Sequence, residues 1–376
     1  MTKRITSVLL VSMVAVVAGG SASASGASSP AAAVAAAQKL VAQYASPISW
    51  TSPGPAINVS SLKGEKVEYV PISPNIGVTP LQYGGWKEAM DAAGLQTIEG
   101  DTNGTPDSWS RAVDQAIAQN VKLIQLQGVD PGQIQPAITN AHNHGIKIVE
   151  GFIHPLGQPK SVDMAAEVTF NSYKIGQLTG DAAIANSNGT VDAVIYHEAD
   201  YVPVSDSIEA GIESEFKRLC PNTCKWKLVD ITIPDWPTKL PLLTRTAIED
   251  KSVNTIIPIF DGEVPYVVPA INQAGAKNRV KVVSFNATPA ALNFLVKKDA
   301  LVADLGDPLE MEGFQFADQD FRALLGKPAA SETLESPPIE MFTPSNFTAA
   351  MLKKPELSWY GPLDFAGDYK KLWGLG

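Results

Sequence analysis

This chain of 376 residues has little cysteine, little histidine and a shortage of positive charge. Its only two cysteines, Cys220 and Cys224, would need further ligands nearby to hold a metal, and none are visible around them. Of its four histidines, His142 and His144 fall near the end of one helical pattern, where they are solvated or meet the helix dipole. His154 and His197 follow strands and could face a common cleft with Glu198 or Asp200, yet their spacing matches no local metal motif. Lysine and arginine number 29 against 39 aspartates and glutamates, a net charge of −10. That balance argues against nucleic acid or an anionic membrane as partner, since both select basic surfaces. Beyond the first residues no stretch approaches the roughly 20 apolar residues of a membrane helix. The Gly-x-Ser-x-Gly elbow, the phosphate-cradling Gly-Lys-Ser loop and the His-Glu-x-x-His helix are absent too. Acidic pairs such as Asp261 and Glu263 carry little weight among so many carboxylates. No catalytic group, cofactor or metal is implied, and a small ligand or another protein remains as partner.

What is present begins with a leader. Lys3 and Arg4 precede an apolar stretch over 8–18 and small residues ending Ser21-Ala22-Ser23-Ala24, the order of a secretory signal cut near Ala24. No cysteine lies at that point to carry a lipid, so free diffusion in a periplasm is the expectation. In an oxidising compartment Cys220 and Cys224 read as a local disulfide pinning a turn, with two free thiols as the alternative. Residues 25–66 comprise an Ala-rich helix candidate and a Pro/Ser/Gly linker; with little apolar bulk to dock, they read as a peripheral extension. The rest, in a chain that is 45% hydrophobic, is long enough for two ordinary domains with buried cores.

From Val67 onward short apolar runs alternate with longer amphipathic stretches, the pattern of βαβ units around a parallel sheet. Strands are expected at 67–72, 96–99, 123–127, 146–152, 191–196, 226–231, 255–260 and 280–285. Helices are expected at 82–93, 108–119, 131–144, 172–185, 206–219, 239–250, 264–273 and 290–297. Gly94, Asn120, Gly145 and Gly275 sit where left-handed C-cap residues belong. About eight such units would also fit a closed barrel, which periodicity alone leaves open.

Several segments occur in a telling order: Pro74-Asn75 after the first strand, the Gly145-Ile146-Lys147-Ile148-Val149 strand entry, and Asn171-Ser172-Tyr173-Lys174-Ile175-Gly176. Then come Ser205-Asp206-Ser207-Ile208-Glu209-Ala210-Gly211, the stretch 256–261, Asn272-Gln273-Ala274-Gly275, Val282-Val283-Ser284-Phe285-Asn286 and Gly306-Asp307-Pro308. Together they resemble the ribose-binding-protein family of periplasmic solute receptors, the type I periplasmic-binding fold, over about residues 67–346. The resemblance implies two Rossmann-like α/β lobes with parallel sheets, joined by a hinge crossed three times, near Phe170, at 304–307 and at 338–344. Residues 67–169 with 307–337 would form the N-lobe, 170–306 with 338–346 the C-lobe, and 347–376 a C-terminal extension. It also implies a monomeric, non-catalytic substrate-binding component of an ABC importer, passing a small solute to an inner-membrane permease. Ligands of open α/β sheets bind beyond the carboxyl ends of the strands, so the cleft would collect strand-end residues and close by a hinge motion.

Sugar-binding members of that family pair Asp, Asn and Arg side chains with hydroxyls and set rings against C–H faces. This chain departs from that pattern repeatedly at the matching positions. Phe152-Ile153 stands where a carboxylate is usual, Asp206 where an Arg is, and Phe260 beside Asp261 where an Asn is. Asn286 stands where an Asp is common and Gly306 where a Gln is, while Trp236, after Asp235, keeps an aromatic platform. Without a guanidinium, Asp206, Asp235 and Asp261 disfavour an anionic ligand. A neutral sugar or polyol is the central expectation, and a cation held between Asp and the rings of Trp236, Phe152 or Phe260 the alternative. Asn75, Thr79, Gln127 and His154 complete the candidate set. Each has a plainer reading: Phe152 and Phe260 could be core, Asp206 a helix cap, and Asn75 or Thr79 a cap in a loop. Trp236, in a Pro-Asp-Trp-Pro loop, is less suited to a core role.

Two other functions compete. An exported (β/α)₈ glycoside hydrolase would use the acidic residues after strands, and against it stands the crossover resemblance near Asn171 and Asp307. A receptor presenting its ligand to a membrane sensor would use the same clamp. The tail beyond Asn346 carries Leu357, Trp359, Tyr360, Phe365, Tyr369 and Trp373, too apolar for a free end, and is expected to pack on a lobe or near the hinge.

Overall fold

The computed structural model describes residues 29–376, so the leader expected over 1–24 lies outside the described residues. The strands form two sheets, which rules out a closed barrel. In the N-lobe, β1 (Lys66–Pro71), β2 (Gln96–Glu99), β3 (Leu123–Gln127), β4 (Lys147–Gly151) and β5 (Ala166–Val168) run in the order β2-β1-β3-β4-β5, every pair parallel. The C-lobe sheet holds β6 (Val191–Glu198), β7 (Cys224–Ile231), β8 (Thr255–Pro258), β9 (Lys281–Asn286), β10 (Leu301–Gly306) and β11 (Glu340–Phe342). Its order is β11-β10-β9-β8-β6-β7, parallel except where β11 returns against β10. β5 and β11 hold three residues each, too few for a strand pattern to register in sequence.

Helix α1 (Pro30–Gln43) precedes these units. α2 (Thr79–Ala93), α3 (Pro106–Ala118) and α4 (Gln135–Asn143) connect the first strands; α5 (Ser172–Asn186), α6 (Val202–Leu219), α7 (Trp236–Glu249), α8 (Val264–Gln273) and α9 (Pro289–Val296) belong to the C-lobe. α10 (Leu309–Leu324), α11 (Glu332–Glu335) and α12 (Phe365–Leu372) complete the chain. Proline stands in the first turn of α2, α3, α4, α6, α7, α8 and α9, where its fixed φ fits and its missing N–H has no intrahelical partner to lose. Gly94, Asn120, Gly145 and Gly275 all adopt positive φ just beyond helices. α6 starts at Val202, four residues earlier than expected, so Asp206 lies a turn inside it and caps nothing. Two helix pairs pack backbone to backbone: α2 against α10 through Gly85 and Gly313, and α5 against α6 through Gly176 and Gly211. A Cβ at any of the four would overlap the facing helix. Cys220 and Cys224 form a disulfide between the end of α6 and the start of β7, with 5.3 Å between their Cα atoms.

The chain passes between the lobes at 169–172, 306–309 and 336–340, and its two ends add further passages. The N-terminal segment is not peripheral, contrary to its composition. Ala33 and Ala37 of α1 are fully buried against the C-lobe, because small side chains let the helix lie close on α5. The segment then crosses to the N-lobe. The Met341 N–H donates to the Tyr44 carbonyl (2.6 Å) and the Ile48 N–H to that of Tyr360 (3.2 Å); farther on, the Ile57 N–H donates to the Leu372 carbonyl (2.8 Å). The C-terminal segment runs beside it. Trp359 and Tyr360 pack with Phe347 and Phe342 at the hinge, while Phe365, Tyr369 and Trp373 cover α10 in the N-lobe.

That cover explains α10, whose polar residues Gln315, Asp318, Gln319, Asp320 and Arg322 are all buried. Asp318 accepts from the Trp373 indole (2.7 Å) and from Arg322 Nε (2.7 Å), and Arg322 also donates to the Pro55 carbonyl (3.1 Å). Asp320 accepts from the Trp86 indole (2.7 Å), and Gln319 from the Ala330 N–H (3.1 Å). Trp373→Ala removes a buried ring and one partner of Asp318 at once, and is expected to lower unfolding free energy by about 3–5 kcal/mol in urea titration.

Candidate functional site

The carboxyl ends of six strands, three from each lobe, converge on one cavity of about 70 Å³. Ile72 follows β1, Gln127 ends β3, Phe152 follows β4, Glu198 ends β6, Phe260 follows β8, and Asn286 ends β9. Aromatic rings dominate the wall, with Phe170 from the first crossover, Tyr201 before α6 and Trp236 at the start of α7 joining the two phenylalanines. Ile76, Val78 and Ile233 add aliphatic surface, and Gln82 an amide. A wider recess of about 310 Å³ lies alongside, sharing Ile76, Ile233, Trp236 and Gly262. The lobes touch across the cleft, Gln133 on the N-lobe side donating to the Asp200 carbonyl at 3.3 Å.

Backbone strain concentrates at this cavity. Phe152 adopts φ +65°, and Asn286 and Ala287 take φ +113° and +53°, a region costly for side chains of this size. The turn at Phe152 aims its ring inward, against Phe170 (5.2 Å between centroids) and Phe316 (5.0 Å).

Glu198 is the acidic group in the wall. Its Oε1 accepts from the Trp236 indole at 2.6 Å, while Oε2 is buried with no partner. Burial pushes its carboxyl well above the usual range; the indole N–H opposes that and the Asp200 charge adds to it. Glu263, directly behind, is raised by burial and then by the Glu198 charge. Farther into the hinge, burial raises Asp304 and Glu312 well above the usual carboxylate range, and the neighbouring charges of Asp261 and Asp307 add to it. Burial lifts Asp261 to about 7 and Asp307 to about 6. Glu312 in turn accepts from Gln82 at 2.6 Å, tying α10 to the cavity wall.

The structure brings together five of the residues singled out in sequence: Gln127, Phe152, Trp236, Phe260 and Asn286. Trp236 also packs into the C-lobe core, so its loop position did not spare it that role. Asn75 and Asp261 line the adjoining recess, and Thr79 is buried behind the wall, its hydroxyl donating to Gln127 Oε1 at 3.4 Å. Asp206 and His154 lie elsewhere. Asp206 is exposed on α6, 3.0 Å from His197 Nε2, because the early start of the helix turns it outward. His154 bonds Ser161 (2.9 Å) and lies 3.7 Å from Glu150. The two histidines thus have separate partners; His197 instead groups with Asp206 and Glu209 on the C-lobe exterior. Glu198, Tyr201, Gln82 and Phe170 were not foreseen as ligand contacts. Pro203 was the available signal for one of them: as a first-turn proline it starts α6 at Val202 and places Tyr201 at the helix entry.

Against known proteins, residues 69–327 match the family model described as periplasmic binding protein domain. The chain belongs to that family of two-lobed solute-binding proteins. No curated protein matches the sequence. Among solved structures it is similar to the 5-methylthioribose transporter solute-binding protein of Thermotoga lettingae, in complex with 5-methylthioribose (TM-score 0.69, 17% identity, 83% of this chain and 97% of that one). It is also similar to an ABC transporter solute-binding protein of Agrobacterium vitis with bound α-D-tagatopyranose (TM-score 0.67, 14%, 77% and 97%). A third is GanP, a glucose-galactose binding protein of Geobacillus stearothermophilus (TM-score 0.66, 17%, 76% and 99%). At these identities the likeness is one of fold.

Two predictions arise from this site. Asp261, Asp307, Glu340 (about 7) and Glu356 (about 8) all bind protons more tightly folded than unfolded, so their contribution is complete below about pH 4 and is lost as pH rises through 6–8. The melting temperature is therefore expected to be higher at pH 5 than at pH 8. Phe152→Gly, which relieves the positive φ, should be about 1 kcal/mol more stable than Phe152→Ala in urea titration, and equal stabilities would show the turn to be unstrained.

Proposed function

We propose that this chain is the substrate-binding component of an ABC importer, exported to the periplasm through a cleaved signal, whose lobes close on a small solute of the sugar or polyol class. The observation that carries this reading is the convergence of six strand ends on one cavity, where amides and a carboxyl stand beside aromatic rings. Rings suit the C–H faces of a carbohydrate, and Gln82, Gln127 and Asn286 suit its hydroxyls. The hinge between lobes supplies the closing motion such capture requires, and both lobe surfaces would meet the permease. No described helix is long and apolar enough to cross a membrane. A net charge of −10 suits neither nucleic acid nor an anionic bilayer, and we take the working form to be a monomer.

A thermal-shift screen of the mature chain against sugars, polyols, nucleosides, aromatic acids and amines tests this. A solute at a hundredfold excess over its Kd should stabilise the fold by about 2.7 kcal/mol, a rise of several degrees. Turnover of a glycoside, or no shift by any solute, would overturn the receptor reading.

A further inference from the structure

Two fully buried acceptors on residues that line the cavity have no hydrogen-bond partner. Glu198 Oε2 is buried without a partner in a residue that is 1% exposed, and Gln82, whose Nε2 is committed to Glu312, leaves Oε1 buried and unpartnered. Behind Glu198, Glu263 Oε2 is unpartnered too. No lysine, arginine or histidine lines the cavity. The charged groups around Glu198 are Asp200 and Glu263, both acids; His197, next to it in sequence, is turned outward to Asp206 and Asp230. The cavity thus sets an uncompensated acid, Glu198, beside five rings and no base, a lining that suits positive charge in its occupant.

We propose that the solute carries a protonated nitrogen, an ammonium held against Glu198 among the rings of Tyr201, Trp236 and Phe260, so that the ligand is an amino-substituted sugar or polyol. This rests on the receptor reading above and names its substrate class. A hydroxyl would give Glu198 one donor and leave any charge on it uncompensated in an apolar wall. An ammonium supplies three donors and a charge to offset that of the carboxylate, and its charge is further stabilised by the rings once water is excluded. Empty, the buried carboxyl keeps a proton; the incoming cation replaces it, so association releases that proton to the buffer.

The test compares matched pairs at pH 7 by titration calorimetry: D-glucosamine against D-glucose, and 1-amino-1-deoxy-D-sorbitol against sorbitol. The amine of at least one pair should bind tenfold or more tightly than its neutral partner. Its apparent enthalpy should vary among buffers of different ionisation enthalpy, with a slope near one proton released. Glu198→Gln should bring the pair to parity; if that variant fails to fold, the proton release of the unaltered protein remains as readout. Neutral partners binding as tightly as the amines, or amine binding without proton release, would overturn the proposal while leaving a solute receptor. If neither series binds but a neutral solute from the wider screen does, the amine assignment fails and the receptor stands.

Discussion

Where the two sheets face one another, Glu198, Asp261, Asp304, Asp307 and Glu312 all lie out of water, with no lysine or arginine lining the cavity between them. Carboxyls so placed must keep protons, accept N–H groups or meet a ligand's donors. The first two are in use. Asp261 accepts the Thr288 N–H, Asp304 and Glu312 are held toward the protonated form by burial and by the charges of Asp261 and Asp307, and Glu198 takes the Trp236 indole on one oxygen only. The positions of α7, the Gly262 turn beneath the Trp236 ring and α10 all depend on satisfying these groups, and so does the character of the cleft.

A second constraint comes from the chain ends. α1 lies on the C-lobe, the 44–57 segment crosses to the N-lobe, and the C-terminal stretch crosses beside it, with Ile48 and Tyr360 bonded where they meet. Any opening of the cleft therefore bends five passages of chain rather than three. Tyr360 links this arrangement to the acids of the hinge, its hydroxyl donating to the Asp307 carbonyl at 2.7 Å, and Glu356 accepts the Leu309 N–H at the start of α10. The terminal segments are thus part of the hinge itself.

Much of this was legible in sequence because the signals were local. Gly94 and Gly145 marked helix ends that their positive φ now explains, and Phe152, Phe260 and Asn286 could be placed at the cleft because each stands at a strand end. Asp206 was expected at the cleft from its place in the family pattern, with a helix cap as the plainer reading, and the first-turn proline upstream starts α6 early enough to remove both. α10 hid its nature, since its polar face looks like an exposed one until Trp373 and Pro55 cover it.

By itself, then, the sequence determined the alternation of strands and helices, their caps and the side chains at strand ends, all set by period, proline and glycine over a few residues. Only the tertiary structure decided that an alanine-rich helix could dock, that α10 would be covered, and that Glu198 would be left with one oxygen unpartnered. Those outcomes depend on which distant segments meet and exclude water together, as Trp236 and Glu198 do across 38 positions of chain, and no local pattern encodes such a meeting.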